Sequence, residues 1–256
     1  TPYTPVLLAP MATLLRDQNA FLEAEVQRRT KELQAIQDVT IMLLASLAET
    51  RDVDTGNHVR RTQLYVKALA QKLAPYPRYA GQLDDATIEL ICKAAPLHDI
   101  GKVGQPETML HKSASLHPDE YEAMKAHTRM GRDAIEHAEL KLGGEVPFLR
   151  YAKEIAFCHQ EKWDGSGYPQ GLKGEEIPLC ARLMALADVY DALISRRAYK
   201  EAVPHDEAVR LILQERGTHF DPDIVDAFRK IADSFLAISR AYADEEVPAR
   251  RMRARA

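Results

Sequence analysis

The chain has 256 residues, of which 46% are hydrophobic and 28% are charged, and its formal net charge is −4. This length can bury a sizeable core in one large domain or two small ones, and the balance is that of a globular protein. A negative net charge argues against a whole-chain basic surface of the kind that binds duplex nucleic acid. We therefore expect no duplex nucleic acid partner.

The cysteines and the apolar segments bear on the cellular compartment. Cys92, Cys158 and Cys180 are odd in number and far apart, which does not suit a disulfide framework and favours a reducing environment. The longest apolar run near the N-terminus, residues 6–9, is far too short for a membrane span or a signal-peptide core. The sequence predicts a cytoplasmic protein with no membrane partner.

The N-terminal segment predicts a tail followed by a long helix. Residues 1–13 carry three prolines and no periodic pattern, so we expect a loose tail. From residue 15 to residue 47 a heptad pattern follows, with seven of its ten core positions apolar, and it predicts a linker helix over 14–47. Two interpretations stay open: a coiled-coil seam of a homodimer, which the narrow stripe with polar Asn19 and Arg29 favours, or a helix lying on its own domain.

The rest of the chain predicts helices joined by loops, with no strand and no internal repeat. Four glycines and two prolines in residues 164–178 indicate a loop with demanding backbone geometry. The basic segment 246–256 predicts a disordered tail, so one all-α domain is expected over 48–245. Apolar spacing and capping residues predict helices over 58–74, 84–99, 118–138, 147–161 and 178–195, and a helix pair over 205–245.

Acidic and histidine side chains within these helices suggest a metal site. Adjacent His98 and Asp99 offer an imidazole and a carboxylate that can bridge two ions, although such a pair alone is more often a surface feature. Asp188 and Asp191 lie one turn apart on a face of small residues, and buried acids need a cationic partner or a metal. His127 is followed four residues later by Gly131, which we expect to leave room for an ion.

Several blocks of the sequence resemble the HD-GYP phosphodiesterases, over about residues 45–235. They are TRDVDTGNHVRRTQ (50–63), HDIGKVGQPETML (98–110), HTRMG (127–131), HQEKWDGSGYPQGLKGEEIPLCARL (159–183), ADVYDALISRRAYK (187–200) and GTHFDPDIVDAF (217–228). The resemblance implies an all-α HD-superfamily domain. Its leading helix is similar to the linker that follows a receiver domain in response regulators.

The resemblance also implies two divalent transition metal ions, of iron, manganese, nickel or zinc. The expected metal ligands are Asp54, His58, His98, Asp99, His127, His159 and Asp188. Asp99 is the natural bridge, and His58, His98 and Asp188 would complete the shell of one ion while His127 and His159 hold the other. Gln160 stands where the family usually has a second histidine, and its neutral carbonyl oxygen is a poorer ligand. A third metal and fast turnover are therefore in doubt.

On the substrate side, the resemblance implies a cyclic di-GMP phosphodiesterase that produces pGpG and perhaps GMP. Asp99 and Lys102 are the expected catalytic residues. The expected substrate contacts are Lys102, Tyr168, Asp191, Arg197 and Lys200, with Ala198 in place of a usual proline. Two alternatives stay open. One is a cyclic dinucleotide sensor that binds its ligand but hydrolyses it very slowly, which Gln160 favours. The other is an HD phosphohydrolase acting on another nucleotide.

Overall fold

The computed structural model describes residues 4–49, 57–110, 117–195 and 202–243, with side chains from residue 11 onward. These residues divide into two compact units, residues 1–41 and 42–256. Within the described ranges the fold is all-α, and an isolated bridge between Arg216 and Phe220 is the one β-type pairing. None of the described helices combines the length and the apolarity that a membrane span needs.

Nine α-helices lie in the described ranges. They are α1 (Thr4–Glu49), α2 (His58–Leu73), α3 (Asp85–Ala94), α4 (Glu107–Leu110), α5 (Pro118–Leu142), α6 (Pro147–Cys158), α7 (Leu179–Ile194), α8 (His205–Gln214) and α9 (Pro222–Ala241). Short 3-10 turns cover Pro77–Tyr79, Ala95–Leu97, Ile100–Gly104 and Gly174–Glu176.

The helices follow the predicted pattern, with differences at their ends. α1 begins at Thr4, inside the segment predicted to be a loose tail, with Pro5 in the first turn, where proline is tolerated. The predicted helix 84–99 ends at Ala94 and continues as two 3-10 turns, because Pro96 removes a backbone donor. The predicted tail 246–256 lies outside the described residues, and the domain bounds of 48–245 stay a prediction.

The core of the second unit joins α2, α7 and α9. Apolar residues recur every three or four positions along α2 and pack against the other two helices. Four aromatic rings meet there, Tyr65, Tyr190, Phe228 and Phe235, with Tyr65 stacked 4.4 Å from Phe235 and Tyr190 edge-on at 5.0 Å from it. This buried cluster packs α2 against α7, and the polar residues of the candidate site lie nearby, at the start of α2 and in the second half of α7.

Cys92, Cys158 and Cys180 are free and buried. Burial raises the pKa of the Cys92 and Cys158 thiols to about 12, so both are protonated at neutral pH. Cys158 neighbours His159 in sequence, but a protonated thiol is a poor nucleophile. Burial and the carboxylate of Glu154, which accepts a hydrogen bond from the Cys180 thiol at 3.2 Å, raise the pKa of Cys180 as well, so all three cysteines are protonated core residues.

Candidate metal centre

Three side chains from separate elements converge at the start of α2. His58 Nε2 lies 3.5 Å from His98 Nε2 and 3.6 Å from Asp188 Oδ1. Both histidines are buried, and the Asp188 side chain is 20% exposed. Ligands in tetrahedral positions around an ion at bond lengths of about 2.1 Å would lie about 3.4 Å apart. The spacing of these atoms is therefore that of a ligand set.

A second triad lies beside the first and contains Asp99, His127 and His159. Asp99 Oδ1 lies 3.4 Å from His127 Nε2 and 3.5 Å from His159 Nε2, and the two nitrogens are 3.5 Å apart. Asp99 Oδ1 is fully buried and accepts no hydrogen bond. A buried carboxylate oxygen without a donor is costly, and a cation between these three atoms would remove that cost.

Asp99 connects the two triads. While its Oδ1 belongs to the second triad, its Oδ2 lies 3.4 Å from His98 Nε2 of the first. The ammonium of Lys102 lies 2.7 Å from the same Oδ2. The side chains of Asp99 and Lys102 are 17% and 18% exposed, so this edge of the site is open to solvent. One carboxylate thus offers an oxygen to each of two adjacent sites.

All four histidines present the same ring nitrogen to the site. His98 Nδ1 lies 3.1 Å from the carbonyl of Ala95, His127 Nδ1 2.7 Å from that of Met124, and His159 Nδ1 3.0 Å from that of Ile155. His58 Nδ1 lies 2.9 Å from a carboxylate oxygen of Asp191. Because carbonyl and carboxylate oxygens only accept, each Nδ1 must donate. The proton is therefore on Nδ1, and the Nε2 lone pair is left for a metal.

Asp191 accepts a hydrogen bond from the His58 ring nitrogen that faces away from the first triad. Its carboxylate is 1% exposed and receives two hydrogen bonds from Arg61, at 2.7 and 2.8 Å, in addition to that from His58. Both oxygens of Asp191 thus accept hydrogen bonds from buried donors, and the expectation that Asp191 contacts the substrate stays a prediction. The hydrogen bond from His58 to Asp191 is of the kind common around metal-bound histidine, where a carboxylate accepts from the ring nitrogen that is not a ligand. The cationic partner that a buried acid needs is Arg61, which none of the sequence motifs indicated.

The pKa values of His58 in the first triad and His127 in the second shift in opposite directions. Burial opposes protonation of His58, but the hydrogen bond and charge of Asp191 outweigh it and raise the His58 pKa to about 9. Burial dominates at His127 and lowers its pKa to about 4. Burial also opposes ionisation of Asp99, but Lys102 and His98 hold the pKa of that carboxyl well below its usual range. At neutral pH without metal, His58 therefore carries a second proton, on Nε2, which a bound metal would displace.

Two glycines allow the Ile100–Gly104 turn to lie directly on α5. A Cβ at Gly101 would lie 2.0 Å from the His127 carbonyl oxygen and 2.5 Å from the Gly131 nitrogen. A Cβ at Gly131 would lie 3.3 Å from the Gly101 nitrogen and 3.4 Å from the Ile100 side chain. The Ala156 side chain of α6 would also lie 3.3 Å from that Cβ, so the space beside Gly131 is taken by the turn and by α6, and the expectation that it leaves room for an ion is wrong. The close approach brings Asp99 to His127.

The glycine-rich loop is held on the site by a buried acid. Glu161 is 1% exposed, and its carboxylate accepts the backbone N–H of Gln170 at 2.7 Å and of Leu172 at 3.0 Å. A Cβ at Gly167 would lie 2.3 Å from the Lys162 nitrogen, so glycine is required there. Tyr168 follows, and its ring centroid lies 6.4 Å from that of His127. The loop therefore positions the Tyr168 ring at the edge of the second triad.

The remaining expected site residues divide into two groups. Asp54, Arg197 and Lys200 lie outside the described residues. Gln160 is half-buried beside His159, and its backbone carbonyl accepts the N–H of Tyr168 at 3.2 Å. Its role as a ligand stays a prediction.

Comparison with known proteins agrees with this geometry. The model of the HD domain family matches residues 42–224, most of the chain. The chain belongs to the HD domain family. That family implies dependence on a divalent metal, and the histidine and carboxylate atoms of the two triads fit one by chemistry and spacing.

Individual relatives support the HD-GYP resemblance. A "Probable cyclic di-GMP phosphodiesterase" of Vibrio cholerae serotype O1 is 55% identical over 233 residues, which is 91% of this chain and 53% of that protein. A "3'3'-cGAMP-specific phosphodiesterase 2" of the same organism is 34% identical over 89% of this chain and 40% of its own length. The chain therefore spans about half the length of these curated relatives or less.

A solved structure supports the fold. A HDG"Y"P protein from Bdellovibrio bacteriovorus superposes with a TM-score of 0.50 at 24% identity, over 70% of this chain and 54% of that one. Together with the matching GYP loop at residues 167–169, these relatives confirm the resemblance to HD-GYP proteins.

Proposed function

We propose that this chain is a metal-dependent phosphodiesterase that hydrolyses cyclic di-GMP to pGpG, and in a second step to GMP. The observation that carries the proposal is the pair of triads that share Asp99, with every histidine presenting Nε2 to the site. This arrangement suits a binuclear centre, and binuclear centres are common in enzymes that cleave phosphate esters. The names of the curated relatives support the reaction and the dinucleotide class of substrate.

The proposed ligands of one ion are His58, His98 and Asp188, and those of the other are His127 and His159, with Asp99 between them. Asp54 joins the set by resemblance alone. Four imidazoles with carboxylates suit a transition metal such as iron, manganese, nickel or zinc better than calcium or magnesium, which prefer oxygen ligands. When bound, two such ions supply the Lewis acidity that activates water and neutralises phosphoryl charge.

The protein's own residues hold the diester in place. The Lys102 ammonium lies at the open edge, 2.7 Å from Asp99 Oδ2, where it would donate to a phosphoryl oxygen of a diester bound at the ions. Arg197 and Lys200 are proposed by resemblance to hold the second phosphate of the dinucleotide. Asp191 is proposed as a positioning residue, which keeps the Nε2 of His58 directed at its ion through the hydrogen bond at 2.9 Å.

A second part of the proposal concerns α1, for which we propose a homodimer seam. All seven apolar core positions of its heptads are exposed, with Val26 at 63% and Leu33 at 67%. A long row of exposed apolar residues is typical of an interaction surface, and its heptad spacing fits a parallel partner helix of a second copy. Light scattering tests this: the wild-type chain should be a dimer and the double variant Leu22→Lys, Val26→Lys a monomer. A monomeric wild type at micromolar concentration would contradict the seam.

The experiment that tests the enzyme is product analysis with defined metals. The chain is purified without oxygen, stripped with a chelator and reloaded separately with iron, manganese, nickel or zinc. It is then given cyclic di-GMP, and the products are separated by chromatography. We expect pGpG with at least one metal and none from the stripped protein or from Asp99→Asn. If the chain binds cyclic di-GMP firmly but does not cleave it with any of the four metals, the chain is a cyclic dinucleotide sensor and not a phosphodiesterase. If the chain cleaves another nucleotide but not cyclic di-GMP, the proposed substrate is wrong and the alternative of an HD phosphohydrolase for another nucleotide holds.

A further inference from the structure

Beside the second triad, Tyr168, an expected substrate contact, forms a cluster with two side chains of α5 that have no role in the proposed chemistry. The Lys125 ammonium lies 5.0 Å from the centroid of the Tyr121 ring and 5.4 Å from that of Tyr168. The two rings are perpendicular, with centroids 6.4 Å apart. Tyr121 and Lys125 lie one turn apart on α5, so they share a helix face, and Tyr168 reaches them from the glycine-rich loop.

The position of this cluster relative to the metal centre matters for a dinucleotide. Within the cluster, the Tyr168 ring is also a neighbour of His127, with its centroid 6.4 Å from that of the histidine. In a nucleotide, one sugar separates the base from its phosphate. A diester bound at the second triad would therefore place a base or sugar near these rings.

The exposure of the cluster distinguishes it from core packing. Tyr121 is 48% exposed, which is unusual for a ring that holds a fold together. The charge partner of Lys125 is Glu122, at 2.6 Å, and the Glu122 side chain is 68% exposed. Surface ion pairs of this kind are weak. A ligand can therefore take over the ammonium without a large penalty.

We propose that Tyr121, Lys125 and Tyr168 form the subsite for a purine base of the cyclic dinucleotide, with Lys125 selecting guanine. Tyr121 and Tyr168 offer ring surfaces on which a base stacks. Guanine presents two neighbouring acceptors, O6 and N7, whereas adenine presents an acceptor beside an amino donor. A lysine ammonium is a donor only, so it favours guanine. This inference rests on the proposed function, because it assumes that a nucleotide phosphate binds at the two triads.

The test is equilibrium dialysis of labelled cyclic di-GMP and cyclic di-AMP against the metal-loaded chain on ice, with the label checked for cleavage by chromatography. Tyr121→Ala should weaken binding of cyclic di-GMP about 5- to 100-fold, the range for loss of one stacking partner. Lys125→Met should reduce the preference for cyclic di-GMP over cyclic di-AMP, and Tyr121→Phe should bind like wild type. Tyr151→Ala on α6 is the matched control, since that residue lines a separate cavity with Thr87 and Glu139 that contains no candidate ligand, and it should bind like wild type.

Metal content and melting temperature are measured on every variant. Unchanged binding by Tyr121→Ala, or an unchanged guanine preference in Lys125→Met, would overturn the subsite. A variant that loses dinucleotide binding only because it has lost metal would also overturn the subsite, because the cluster would then stabilise His127 without contacting the base. Failure of the proposed function gives a different result, in which wild type binds the dinucleotide but releases no pGpG. In that case the dialysis comparison still decides the subsite.

Discussion

Replacing Gly101 with alanine should open the second triad and leave the first intact. The added Cβ would lie 2.0 Å from the His127 carbonyl oxygen, whereas real Cβ contacts stay beyond 3.0 Å. The turn and α5 must therefore separate by at least about 1 Å. The neighbouring backbone cannot yield as a flexible side chain would. Overpacking of this kind costs about 1–3 kcal/mol, which lowers the melting temperature by roughly 2–12 °C for a domain of this size.

The displacement acts on the metal site through the backbone. The His127 ring is fixed to its own helix by the bond from Nδ1 to the Met124 carbonyl, so it moves with α5. Asp99 belongs to the other side of the contact, and the 3.4 Å spacing of its Oδ1 from His127 Nε2 is lost. Misplacement by 1 Å costs on the order of 10²-fold in rate. We expect Gly101→Ala to retain about one metal ion per chain and to cleave cyclic di-GMP on the order of 100-fold more slowly.

The control is Gly104→Ala in the same turn. The nearest atom to a Cβ there is the Met130 sulfur at 3.0 Å, at the end of a flexible side chain that is 42% exposed. This variant should melt, bind metal and react as wild type does. The measurements are metal content by mass spectrometry, thermal melting and the rate of pGpG formation. If Gly101→Ala keeps two ions and the wild-type rate, the close approach does not position the second triad and the reasoning is refuted.

Three further predictions follow from contacts around the site. Asp191→Asn should weaken binding of the ion at His58 by about 10- to 100-fold, the usual effect of changing a partner of a metal ligand, as measured by competition with a chelator. Glu161→Gln should lower stability by roughly 1.5–3 kcal/mol in urea unfolding, because a charged acceptor of two backbone N–H groups becomes neutral. Gln160→His should raise occupancy of the second metal and the rate on cyclic di-GMP together, since imidazole is the better ligand.

Each of these predictions has an outcome that contradicts it. Wild-type metal affinity in Asp191→Asn would mean that the hydrogen bond at 2.9 Å does not orient His58. Unchanged stability in Glu161→Gln would mean that the loop is held by other contacts, and Glu176→Gln in the exposed turn is its matched control. If Gln160→His raises neither occupancy nor rate, the side chain of residue 160 does not reach the metal.

The candidate ligands could be named from sequence because they lie in the blocks that resemble the HD-GYP proteins. His98 and Asp99 are adjacent, His127 and His159 head recognisable blocks, and Asp188 lies on a face of small residues. The sequence also predicts that Asp188 and Asp191 need partners, since buried charge is costly alone. The all-α fold was predictable for the same reason as most helices, a sustained apolar period with capping residues at the ends.

The residues that position the ligands were harder to predict. Arg61 and Asp191 are 130 positions apart, and their ion pair depends on how α2 packs against α7. One local signal existed, because Arg61 falls on the apolar face of α2, three residues after His58. Gly131 was misinterpreted because glycine permits a close backbone approach as well as a cavity. Only the three-dimensional contact with Gly101 distinguishes the two.

The central claim is that the two triads hold two metal ions joined by Asp99, and anomalous diffraction tests it most directly. Crystals of the manganese-loaded chain would be measured on either side of the manganese absorption edge. The account predicts two anomalous peaks, one among His58, His98 and Asp188 and one beside His127 and His159, each in contact with a different oxygen of Asp99. A single peak, or two peaks of which only one touches Asp99, would contradict it.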